Sequence, residues 1–122
     1  MTGFASTPPP EPSTPLNAHL IAAASDTSTR LSHLTRRVVH YAGHVQGVGF
    51  RFTVRQIAAE FDVLGYVKNL PDGRVILVVE GRPDAAQQLI HSIADQMSGY
   101  VSETVDAVHP ATGEFNAFEI RR

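Results

Sequence analysis

Residues 63–81, "VLGYVKNLPDGRVILVVEG", contain two strand patterns and the turn that joins them. "VLGYVKN" (63–69) is rich in β-branched and aromatic residues, and "RVILVVEG" (74–81) is almost continuously apolar. An unbroken apolar run marks a strand covered on both faces, so the second arm is expected at the centre of a sheet. Between the arms, "LPDG" (70–73) is a turn with a mechanism. Pro71 fixes φ for the bend, and Asp72-Gly73 supplies residues that tolerate positive φ.

Upstream of this hairpin, Val54, Ile57, Ala58 and Phe61 fall at i, i+3, i+4 and i+7, which is one face of a helix. Before them "RRVVHYAG" (36–43) reads as a strand closed by Gly43. Downstream, Pro83 suits a first helical position and Asp84 suits the positive end of the helix dipole. Ala86, Leu89, Ile90, Ile93, Ala94 and Met97 continue that helix as one apolar stripe, and Gly99 is expected as its left-handed cap. Two more strands, about 100–108 and 115–121, flank "HPATGE". The order is β-α-β-β-α-β with a final strand. Each helix has a single apolar stripe, so both should pack on the same face of one sheet. The expected class is α/β (α+β): a ferredoxin-like split β-α-β sandwich, with two helices on one face of a five-stranded, mainly antiparallel sheet. Many unrelated activities use that architecture, so it names no function.

Composition narrows the possibilities. A chain of 122 residues with 43% hydrophobic content supports one domain with a small core. A net charge of −2 provides no global basic field for nucleic acid or an anionic membrane. With no cysteine, disulfides, thiolate nucleophiles and the usual structural zinc sites are excluded. The run "LIAAA" (20–24) is too short to span a bilayer, and no basic residue precedes it as a secretory signal requires. A cytoplasmic protein is expected. Residues 1–15 hold five of the eight prolines among Ser and Thr, a composition that cannot collapse into a core. Residues 1–35 are therefore read as a largely flexible extension with no assigned function, and residues 36–122 as the domain.

"YAGHVQGVGFRF" (41–52) places three glycines in seven positions and then an arginine where the first helix should begin. A loop entering a helix carries unpaired backbone N–H groups, with the positive end of the helix dipole behind them. Gly47 and Gly49 can adopt angles closed to other residues and leave no Cβ against a ligand. Successive amides there can form a nest for phosphate. Arg51 should lie in the first turn, with Arg55 one turn later on the same side. A cation at that end opposes the dipole by about 0.3–1 kcal/mol, and like charges at i,i+4 cost about 0.2–0.5 kcal/mol more. A bound anion reverses that sign and turns Arg51 into a donor fork matched to phosphate. On the loop alone, a plain Gly-rich turn with Arg51 bridging to a surface carboxylate fits equally well. The motif is neither a Walker loop nor a G-x-G-x-x-G dinucleotide site.

A second stretch changes that balance. "GYVKNLPDG" (65–73) begins 14 residues after Arg51 and places Asn69 at a strand end beside the hairpin. Taken together, "GHVQGVGFR" (43–51) and "GYVKNLPDG" resemble the two signature segments of the acylphosphatase family, at that family's spacing. The resemblance covers residues 36–122 and includes the closing "FEIR". It implies hydrolysis of acyl phosphates, the mixed anhydrides of a carboxylic and a phosphoric acid, to carboxylate and inorganic phosphate. Arg51 would be the substrate-binding and catalytic arginine. Amides of Val45, Gln46, Gly47, Val48, Gly49 and Phe50 would hold the phosphoryl oxygens, and Asn69 would orient the attacking water. The expected substrate is a small-molecule acyl phosphate and the product inorganic phosphate, handled by a monomer without metal, cofactor, nucleic acid or membrane.

The chemistry accommodates so small a cast. A carboxylate leaves without a general acid, and phosphoryl transfer passes through a loose transition state governed by positioning and electrostatics. The family often has Trp where Tyr66 stands, Arg where Lys68 stands, and a terminal Tyr where Arg122 stands. None of these departures touches a proposed catalytic role. A non-catalytic phosphate or acyl-phosphate binding module is the alternative, although it has no evident need for Asn69. An RNA-binding domain of similar topology would need stacking aromatics, which "RVILVVEG" lacks. Kinship with hydrogenase-maturation carbamoyltransferases would call for a much longer chain with cysteine-rich fingers. His40, His44, His91 and His109 show no ligand spacing, and His44 is read as a solvent-facing loop residue. Phe50 is expected to pack under the loop.

Overall fold

The computed structural model describes Leu31 and residues 33–122, so most of the expected extension lies outside the described residues. The elements are β1 (Thr35–Gly43), α1 (Phe50–Ala58), β2 (Val63–Asn69), β3 (Val75–Gly81), α2 (Pro83–Gln96), β4 (Val101–Pro110) and β5 (Phe118–Arg121). They form one sheet in the order β4-β1-β3-β2-β5. All neighbours are antiparallel except β2 and β5, which run parallel. The apolar β3 is the central strand, as its composition requires.

Side-chain alternation assigns the two faces. Val39 and Tyr41 of β1, Val63 and Val67 of β2, and Val75, Leu77 and Val79 of β3 fall on one face. They join Phe50, Val54, Ile57 and Ala58 of α1 and Ala86, Leu89, Ile90 and Ile93 of α2 in a single buried core. Both helices therefore cover the same face, and the split β-α-β sandwich is the observed architecture.

Several local expectations are revised. The first helix stops at Ala58 rather than running through Phe61. Tight i→i+3 bonds, Glu60 N–H to Ile57 O and Phe61 N–H to Ala58 O (both 3.0 Å), wind the chain out of the helix. Phe61 still packs against the core. Ala94 of α2 is exposed, so the apolar stripe is narrower than its spacing implied. Gly99 is not a left-handed cap. Met97 closes the helix on Ile93 O at 2.9 Å, and Tyr100 N–H returns to Met97 O at 2.9 Å, so right-handed backbone already satisfies that end. The last strand starts at Phe118, because Phe115 is instead a buried loop residue packed edge-on to Tyr66.

Gly65 in β2 is a packing requirement. Its φ is +143°, and an added Cβ would overlap the Val78 carbonyl oxygen on the neighbouring strand and lie 2.9 Å from its carbon. Gly65→Ala must push β2 off β3 or distort both. It is expected to cost about 3 kcal/mol, the upper part of the usual overpacking range. Urea unfolding reads this directly, and a loss below about 1 kcal/mol would mean the strands part without penalty.

The "HPATGE" connection does more than join two strands. It wraps the Glu80 carboxylate, which is only 4% exposed and is the one buried charged side chain among the described residues. Glu80 accepts from Arg36 Nε at 2.7 Å, Thr112 N–H at 2.9 Å, Thr112 Oγ1 at 2.8 Å and Gly113 N–H at 2.9 Å. Burial pushes its pKa up, but these donors outweigh burial and leave the carboxyl below its ordinary range.

Candidate active site

The sheet topology gathers the candidate residues at one end. Tyr41, Val75 and Asn69 pair across β1, β3 and β2 as a single row, so the loop leaving β1 and the residue ending β2 lie at the same sheet edge. Asn69 shares the parity of Val63 and Val67, and so belongs to the helix-covered face beside the start of α1.

The loop is anchored at both ends. Val45 and Phe50 are each 1% exposed, and Phe50 packs on Tyr41 with ring centroids 5.2 Å apart, under the loop as expected. Between these anchors, Gly47 (φ 79°) and Gly49 (φ 76°) are both left-handed. Gly49 is the N-cap of α1, with no side-chain cap and no acidic residue in the first turn. Thr53 is the first amide to find an intrahelical acceptor, on Gly49 O at 3.0 Å. Among the described residues, no backbone or side-chain acceptor takes the N–H groups of residues 45–52. Helices ordinarily satisfy such groups with a cap, water or a ligand.

Val45, Gly47, Gly49 and Phe50 line a cleft of about 180 Å³ together with Arg51 and Asn69. Phe52, half exposed, and Ile120 of β5 complete its lining. Six of the eight residues singled out in the sequence therefore meet in one place. Gln46 and Val48 do not line the cleft. Val48 packs partly against the core, and the Gln46 side chain turns to the β2–β3 hairpin. Any part these two play in ligand binding falls to their backbone N–H groups.

Arg51 donates from Nη1 to the Arg121 carbonyl of β5 at 3.0 Å. Among the described residues it has no carboxylate within 4.0 Å, so the surface ion pair that the loop alone allowed is not formed. One N–H of the guanidinium fork is committed to holding the side chain, and the others remain as donors. Arg121 is itself held: its guanidinium sits 4.2 Å over the Tyr66 ring and bonds Glu119 at 2.8 Å. Arg55 lies 5.7 Å over Phe52 and does not line the cleft. His44 is exposed, with its backbone N–H on Tyr100 O at 2.8 Å.

Asn69 Oδ1 is buried without a hydrogen-bond partner among the described residues. An orphaned buried acceptor is costly, and at the wall of the cleft it is an acceptor for whatever enters. The Tyr41 hydroxyl is also buried and unpartnered. Burial first, then the Asp106 charge, holds its pKa far above the ordinary phenol value, so it stays neutral and is no acid–base group at working pH.

Sequence reasoning missed Ile120 and the Arg121 carbonyl. "FEIR" reads as part of a strand and of the family resemblance, but nothing local signals that this strand would buttress Arg51.

Comparison with known proteins identifies the family. The Acylphosphatase family model matches residues 37–120. An acylphosphatase of Nocardia farcinica is 41% identical over 80 residues, covering 65% of this chain and 80% of that protein. The crystal structure of the Bacillus subtilis acylphosphatase superposes with a TM-score of 0.64 at 29% identity, covering 73% of this chain and 99% of the other. The structure of T. kodakarensis HypF superposes with a TM-score of 0.63 at 31% identity, covering 72% of this chain but only 12% of that protein. Two signature segments 14 residues apart, a helix-entry loop rich in unpaired amides and a matching family model lead to one assignment: the chain belongs to the acylphosphatase family.

Proposed function

We propose that this protein hydrolyses acyl phosphates to a carboxylate and inorganic phosphate. The observation that carries the reading is one cleft in which unpaired loop amides, the Arg51 guanidinium and an orphaned Asn69 carbonyl come together. Amides of residues 45–50 and the free donors of Arg51 take the three equatorial phosphoryl oxygens, whose charge spreads in the loose transition state. Asn69 Oδ1 accepts a hydrogen bond from water and directs its lone pair at phosphorus. A P–O bond forms to that water, the P–O bond to the acyl oxygen breaks with its electron pair, and the carboxylate departs unprotonated. The water's proton ends on the product phosphate or in solvent. No group in this sequence of events needs a shifted pKa. In this reading residues 36–122 form the hydrolase domain, residues 1–35 an extension, and the protein acts as a cytoplasmic monomer.

The test is turnover of benzoyl phosphate, with inorganic phosphate as inhibitor. Hydrolysis with competitive inhibition by phosphate is expected, because the product occupies the same amide and guanidinium cradle as the transferred group. Binding of phosphate without turnover would leave a non-catalytic binding module. Absence of both would remove the loop as an anion site.

A further inference from the structure

The phosphate loop ends β1 and Asn69 ends β2, but these strands are not neighbours, because β3 lies between them. Strands two positions apart are separated by about 10 Å, so the backbone ladder couples the loop to Asn69 only through β3. One side chain spans that gap above the start of β3. Gln46 Nε2 donates to Leu70 O at 2.8 Å and to Arg74 O at 2.9 Å. Leu70 directly follows Asn69 and Arg74 directly precedes β3, and the two residues already close the hairpin through Leu70 N–H to Arg74 O at 2.8 Å. The neutral amide NH₂ can bond both carbonyl oxygens at once, whereas a carboxylate or hydroxyl in that place offers none or one donor.

The geometry points to Gln46 as a positioning residue that locks the phosphate loop to the hairpin carrying Asn69. It sets the distance between the bound phosphorus and the water that Asn69 directs. The inference rests on the hydrolase reading above and assigns the Gln46 side chain a task separate from its backbone amide. Loss of the strut leaves the Gly47–Gly49 backbone and Arg51 to bind phosphate, and frees the water-directing amide to drift relative to it. Displacements near 1 Å in a reacting geometry cost about 10²-fold in rate.

The experiment is a double-mutant cycle on the full chain, with benzoyl phosphate as substrate and inorganic phosphate as competitive inhibitor. Gln46→Met keeps the length and removes both donors. Its kcat is expected to fall by about 30-fold, with the phosphate Ki within about threefold of wild type. In an Asn69→Ala background the same change is expected to cost less than about threefold in kcat, because the group it positions is gone. Gln46→Asn, which retains a shorter amide, should lie between wild type and Gln46→Met, and covers the case in which the Met variant does not fold. An equal kcat loss in both backgrounds, a Ki that rises in step with the kcat loss, or an unchanged kcat would each overturn the assignment. A wild type that does not turn over benzoyl phosphate is a different failure, and sinks the hydrolase reading itself.

Discussion

Replacing Arg51 by Ala is expected to lower kcat/KM for benzoyl phosphate by about 10³–10⁵-fold, the range an arginine contributes when it neutralises transition-state charge in phosphoryl transfer. At about 1.4 kcal/mol per tenfold, that is the loss of a charge-assisted fork in a partly enclosed cleft. The size follows from how Arg51 is held. Its bond to the Arg121 carbonyl fixes the guanidinium at the cleft wall before substrate arrives, so less ordering is left to occur on binding. Arg51→Lys should recover only a small part, because one ammonium on a flexible stem cannot hold the Arg121 carbonyl and clasp phosphate together. Asn69→Ala is expected to fail differently. It should lose about 10²–10³-fold in kcat with the phosphate Ki nearly intact, because the group directs water rather than gripping phosphate. Steady-state kinetics with a phosphate inhibition series separates the two patterns, and wild-type kcat/KM in Arg51→Ala would end the proposed role. Unfolding midpoints close to wild type are expected for both variants, since neither side chain belongs to the core cluster.

The largest stability effect is expected far from the cleft. Glu80→Ala leaves the Thr112 and Gly113 amides without their acceptor and takes away one of the two carboxylates on the Arg36 guanidinium, which keeps Glu114 at 2.8 Å. Each buried amide left without an acceptor costs about 1–3 kcal/mol, so with the weakened ion pair a total of about 3–5 kcal/mol is expected. Glu80→Gln keeps the volume and part of the bonding, so it should cost less. The pH dependence has a definite sign. The folded-state pKa of Glu80 is depressed, so its contribution is complete above the unfolded carboxyl pKa of about 4.3 and is lost as pH falls through the lower folded value. The stability margin of wild type over Glu80→Gln should therefore shrink on acidification below about pH 4. Urea unfolding at several pH values measures this margin. A margin that stays constant between neutral and acid pH would show that the carboxylate charge contributes nothing there.

The two sites differ in how far they can be read from sequence. The loop announces itself because Gly47, Gly49 and Arg51 are unusual where they stand: two residues of maximal backbone freedom, then a cation against a helix dipole. Asn69 is legible only beside them, since an asparagine before a proline turn is ordinary in itself. Phe50 was read as packing under the loop, and it does so against Tyr41. Gly99 was read as a left-handed cap from its position alone. The helix end it was to serve is already satisfied by Met97 and Tyr100, a matter of backbone bonding that residue type does not encode.

The element order, the central place of β3 and the shared face of the two helices are legible in the sequence, as are the two segments that line the cleft. These follow from interactions within a few residues: periodicity, turn geometry and helix-end electrostatics. How those segments are held follows from contacts that exist once the chain has folded. Arg51 rests on a carbonyl 70 residues away, Gln46 on carbonyls 24 and 28 residues away, and Glu80 on amides 32 and 33 residues away. Arg36 and Thr112 add side-chain donors to Glu80, but each contact just named is to a backbone group, and nearly every residue carries the same one. A sequence has no letter for such a partner, so the fold must close before it can be named.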